Sequence, residues 1–162
     1  MPSPAPDFLA ILRVLTAHGV DFVIVGGVCG VLHGAPIATF DLDVVHSRAP
    51  GNIDRLLGAL SELGAHARGQ ADRQVAPDRS HLESPGHQLL MTSAGPLDLL
   101  GALTHDRGYD DLVRHSTEVT VSGMRLRLLD LETLIETKEA IARDKDRAVL
   151  AILRRTLEEK QK

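Results

Sequence analysis

The stretch GGVCGVLHGAPIATFDLDVV, residues 26–45, decides how this chain is read. It opens on the pair Gly26-Gly27 and ends in an apolar, β-branched run into which Asp41 and Asp43 are set one residue apart. On a strand, residues i and i+2 share a face, so both carboxylates project together. Ionised carboxylates held that close repel, and burying them is costly without compensation. Three partners would serve: a metal ion, a basic side chain, or water at a strand end.

Upstream, DFVIVGG reads as a short buried strand closed by glycines, and residues 27–33 as a short helix ending near His33-Gly34. Glycines between a strand and a helix let the backbone approach a ligand, and the helix start offers free N–H groups to a phosphate; a tight turn without a ligand uses the same pair. FDLDVVH is the second strand. Residues 7–18 place Phe8, Leu9, Leu12 and Leu15 at helical spacing behind Asp7 as N-cap, and Pro50 to Leu63 form a helix opened by proline and closed by Gly64.

Residues 65–87 carry little periodicity and read as a long loop with at most an irregular strand, suited to binding rather than packing. HQLLMTS and GPLDLLG form a hairpin joined at Ala94-Gly95-Pro96, and EVTVSGMRLRLL a second one turning at Ser122-Gly123. From Asp130 onward the chain is helical. One segment bears Leu131, Leu134, Ile135 and Lys138 on one side, and the next an apolar stripe of Val149, Ile152 and Leu153. This order predicts an α+β fold or an open α/β sheet, with helices on one or both faces. Residues 1–162 form one domain, with a core over 7–128 and C-terminal helices over 130–160.

Asp98 lies in PLDLL between Leu97 and Leu99, which point to the opposite face, so it repeats the pattern of a carboxylate on a buried strand. Oxygen-only ligands select a hard ion such as Mg²⁺, and three acids from neighbouring strands suit a two-metal phosphoryl-transfer centre. No His/Cys spacing resembles a zinc site. Cys29, the one cysteine, reads as a buried inert thiol in a reducing compartment. His33 reads as a helix-end residue, and His81 and His87 fall in the long loop.

The composition is 43% apolar and 25% charged, that of a soluble globular protein, and a net charge of −4 argues against a surface devoted to coating nucleic acid. MPSPAPDF lacks the features of a signal peptide, and no apolar run approaches the ~20 residues of a membrane span, so the cytoplasm is the expected location.

The order GG, HG, T-x-DLD and a later G-x-LDLL resembles the nucleotidyltransferase fold of the DNA polymerase β superfamily, which implies a short mixed β-sheet with flanking helices. More narrowly, it is similar to minimal bacterial nucleotidyltransferase-like proteins, some linked to toxin–antitoxin and abortive-infection systems. The segment LETLIETKEAIARDKDRAVL resembles their C-terminal pattern, with Lys138, Arg143, Lys145 and Asp146 in place. The resemblance implies that Asp41 and Asp43 bind two Mg²⁺ ions, that Asp98 joins one of them and helps activate an acceptor hydroxyl, and that Gly26 and Gly27 cradle the triphosphate of an NTP. Thr39 would orient the Asp-x-Asp strand, touch a phosphate, or make a structural hydrogen bond, and Lys138 and Arg143 would bring positive charge to the site or pair with neighbouring acids on a solvated helix face.

Two positions depart from the pattern. Val28 stands where active members carry Ser or Thr, and Ile37 where relatives carry Arg. Two functions therefore follow: transfer of an NMP to a hydroxyl on an unknown acceptor, or a non-catalytic module acting through a protein partner such as a cognate toxin or antitoxin.

Overall fold

The computed structural model describes residues 5–69, 75–141 and 146–162; Arg143 and Lys145 lie outside them. Seven strands form one mixed sheet: β1 (Phe22–Val25), β2 (Leu42–His46), β3 (His66–Ala67), β4 (His87–Thr92), β5 (Gly95–Leu100), β6 (Ser116–Val121) and β7 (Met124–Leu129). Their order is β3-β4-β5-β2-β1-β7-β6. β2 runs antiparallel to β1 and parallel to β5, β7 runs parallel to β1, and the hairpins β4–β5 and β6–β7 extend the sheet on either side.

The helices are α1 (Phe8–Ala17), α2 (Gly26–Leu32), α3 (Pro50–Glu62), α4 (Arg79–Glu83), α5 (Tyr109–Leu112), α6 (Leu131–Ala140) and α7 (Asp146–Lys160). Asp7 caps α1 by accepting a hydrogen bond from the Ala10 amide at 3.0 Å, which satisfies one of the first-turn donors. Pro50 starts α3, where its missing N–H costs nothing. The buried face of α1 is Ile11, Leu12 and Leu15, whereas Leu9 is 40% exposed, so the apolar stripe is rotated from the spacing read in sequence. In α7 the buried apolar positions are Leu150 and Leu153, with Val149 and Ile152 only partly covered.

Residues 65–69 and 75–87, the described part of the stretch read as a loop, correct that reading in part, β3 being the irregular strand it allowed. They hold the edge strand β3 and the short helix α4, and His87 begins β4. Asp78 caps α4 by accepting from the His81 amide at 2.9 Å, and Leu82 is the helix's one fully buried side chain. With a single anchor there is no stripe to reveal the helix in sequence.

α2 is tied to the sheet by one carbonyl. The Cys29 thiol donates to Leu129 O at 3.2 Å, and the His33 Nε2–H donates to the same oxygen at 2.8 Å. Burial pushes the Cys29 thiol up to about 12, so it stays protonated and unreactive, as its apolar surroundings imply. Among the described residues, no helix is long and apolar enough to cross a membrane.

Candidate active site

The pairing of β2 with β5 sets Asp43 beside Asp98, and residues in register on parallel strands face the same side. Leu42 and Val44 on β2, like Leu97 and Leu99 on β5, turn to the other face and are almost fully buried. Asp41 precedes β2 by one residue and completes the group. One carboxylate oxygen from each of Asp41, Asp43 and Asp98 lies within 4.8 Å of the others. The structure thus brings together the three acids singled out in sequence.

Their partner is a basic side chain. Arg68, just beyond β3, places Nη2 2.8 Å from Asp98 Oδ1 and Nη1 3.8 Å from Asp41 Oδ1. Nη1 also donates to the Leu90 carbonyl at 3.3 Å. The sequence does not single out Arg68, because it sits in a stretch whose pairing is non-local. The signal available was indirect: acids among buried apolar residues demand a cation, and 65–87 is rich in arginine.

Arg68 leaves Asp43 poorly served. Asp43 Oδ1 is buried without a hydrogen-bond partner. Burial pushes this carboxyl up to about 8, reinforced by its bonding to Asp98 and by the charges of Asp98 and Asp41, with Arg68 pulling the other way. Asp98 is also raised, chiefly by burial, which outweighs the lowering by Arg68. An all-oxygen donor set with a buried, unsatisfied carboxylate oxygen fits a hard divalent cation.

The glycine pair has a packing reason of its own. A Cβ on Gly27 would stand 2.5 Å from Thr39 Oγ1, and one on Gly26 would press into the Asp43 side chain. The glycines admit the acid-bearing segment against the start of α2. Thr39 donates from Oγ1 to the Asp41 carbonyl at 3.1 Å, the structural hydrogen bond among the roles expected for it, and this fixes the approach to β2.

Beside the acids opens a cavity of about 230 Å³, lined by Gly26 and Asp43, by Leu100, Leu103 and His87, and by Leu134, Thr137, Lys138 and Ile141. Lys138 is on its wall, with Nζ 3.0 Å from Asp146 Oδ1. His87 is held by an Nε2–H donated to Ala102 O at 3.0 Å. His46 is buried with Nε2 2.8 Å from Leu82 O, and by strand alternation it faces away from Asp43. Val28 is turned into the core, 5% exposed.

No family model and no curated protein sequence matches the chain. Solved structures do resemble it. A Thermotoga maritima protein assigned as a nucleotidyltransferase superposes with a TM-score of 0.58 at 18% identity, covering 94% of this chain and 93% of its own. The lincosamide antibiotic adenylyltransferase LnuA, solved with lincomycin bound, gives 0.60 at 12% identity over 91% and 94%. ANT(2'')-Ia, in complex with adenylyl-2''-tobramycin, gives 0.58 at 14% identity over 95% and 89%. The chain has the nucleotidyltransferase fold.

Proposed function

We propose that the protein is a Mg²⁺-dependent nucleotidyltransferase that moves an NMP from an NTP to a hydroxyl on an acceptor. The observation that carries this reading is the convergence of Asp41, Asp43 and Asp98 on one face of a nucleotidyltransferase-fold sheet. Asp41 and Asp43 would hold two Mg²⁺ ions, with Asp98 joining one of them. When bound, the metal would neutralise phosphate charge and favour loss of pyrophosphate.

The chain's own groups have the following parts. Asp98 takes the proton of the acceptor hydroxyl as the hydroxyl oxygen bonds to the α-phosphorus and the bond to the β-phosphate breaks. Gly26 and Gly27 give the triphosphate close access to the backbone. Thr39 keeps Asp41 in place through its backbone carbonyl. Lys138 faces the cavity and contributes positive charge there.

A small hydroxylated molecule is the acceptor class best supported, because two of the similar structures carry antibiotics or an adenylylated antibiotic and the cavity beside Asp43 is compact. A tRNA end or a protein side chain would need a surface beyond it. The test is incubation with each labelled NTP, Mg²⁺ and a cell lysate or a panel of hydroxylated small molecules. Label should pass to an acceptor, and Asp41→Asn/Asp43→Asn should abolish transfer while remaining folded. A folded protein that transfers none of the nucleotides would leave the second reading: a module of this fold, without turnover, that works through a protein partner.

A further inference from the structure

We propose that Arg68 is a resident counter-ion that competes with the divalent cation for Asp41 and Asp98, so that metal affinity is set by how readily the guanidinium gives way. The inference rests on the metal-dependent reading above and adds a regulating contact to it.

Arg68 meets Asp98 Oδ1 at 2.8 Å and Asp41 Oδ1 at 3.8 Å, and its side chain is 27% exposed. One positive charge therefore serves two of three clustered carboxylates, while Asp43 Oδ1 has no partner. A cation drawn to Asp43 must recruit oxygens from Asp41 and Asp98, the groups facing the guanidinium. Two cations cannot share those oxygens at close range without repulsion. The Arg68 main chain is pinned, its amide donating to Leu89 O at 2.9 Å, and β3 pairs with β4 at the sheet edge. The long side chain alone has to move. Withdrawal gives up the hydrogen bonds to Asp98 and to Leu90 O, and that loss opposes metal entry.

A residue that merely oriented the carboxylates would have the opposite effect, since its removal would weaken metal binding. The experiment is Mn²⁺ and Mg²⁺ titration by calorimetry of the parent protein, Arg68→Ala, Arg68→Gln and Arg68→Lys, with melting temperatures in chelator and in saturating metal. Loss of a charge-assisted bond to the competing group predicts about tenfold or more tighter binding in Arg68→Ala and Arg68→Gln, with Arg68→Lys between them and the parent. In chelator the uncharged variants should melt below the parent, and metal should raise their melting temperature more than it raises the parent's. Equal or weaker metal affinity in both uncharged variants overturns the inference while leaving the metal site standing. If no protein in the set binds metal, and Asp41→Asn/Asp43→Asn behaves like the parent, the metal reading falls and the inference falls with it.

Discussion

Asp43 lays its carboxylate over the bare Cα of Gly26: a Cβ built on that glycine would be 3.0 Å from Asp43 Cβ and Cγ and nearer still to Oδ2. Gly26 also has φ +67, a left-handed conformation that disfavours a side chain. Gly26→Ala should therefore cost about 1–3 kcal/mol of stability and push Asp43 out of the acidic group. Urea unfolding measures the first effect and Mn²⁺ affinity the second. Unchanged metal binding in a folded Gly26→Ala protein would show that Asp43 is not a ligand.

The pH dependence of the metal-free protein follows from the same crowding. Asp43 is raised to about 8 and Asp98 is raised as well, so the folded state keeps protons that the unfolded chain releases. The contribution is fully present below the ordinary carboxylate pKa of about 4 and is lost as pH rises through the folded values. In chelator, stability should decline from roughly pH 5 to 9, and Asp43→Asn should flatten the decline. Saturating Mg²⁺ should flatten it too, because a bound cation stabilises the ionised carboxylates. A rise in stability over that window would contradict the burial assigned to Asp43.

Much of this arrangement is local and hence legible in the sequence. Asp98 between Leu97 and Leu99 announces both a strand and the face its acid takes. The glycine pair, Pro50 and Ser122-Gly123 punctuate the chain where elements change. The register Asp43↔Asp98 is different in kind, since it joins strands separated by α3, β3, α4 and β4. Arg68 is illegible in the sequence for that reason, its place depending on a two-residue edge strand with no pattern of its own. The resemblance in sequence treats Gly26-Gly27 as a phosphate cradle, and the packing of Asp43 and Thr39 on them adds a demand that no motif expresses.

Val28 and Ile37 look in sequence like lost phosphate contacts, and in the fold both have packing roles. Val28 is 5% exposed, and a Cβ on Gly30 would meet Ile37 Cδ1 and Leu153 Cδ2 at 3.1 Å each. Val28→Ser should cost about 1–3 kcal/mol by burying a hydroxyl in an apolar site, with no gain in NTP affinity. Thermal unfolding and calorimetry with a non-hydrolysable NTP separate the two effects. A gain of about tenfold would mean that the hydroxyl reaches a phosphate, restoring the reading of Val28 as a missing ligand.

Lys138 has two duties that one substitution would confound. Its Nζ pairs with Asp146, whose side chain is 7% exposed, which ties α6 to α7, and it also lines the cavity with Gly26 and Asp43. Lys138→Met removes counter-charge from a buried carboxylate and should lower stability by about 1–3 kcal/mol. Adding Asp146→Asn removes the buried charge that Lys138 neutralised while keeping the side chain's shape and hydrogen-bonding capacity, and should recover part of that loss. If Lys138 also serves the polyphosphate, Mg-NTP affinity stays low in both the single and the double variant. Its contribution in the parent should then fade as salt rises, since the ammonium is partly exposed. Recovery of affinity together with stability in the double variant would assign Lys138 to the helix contact alone.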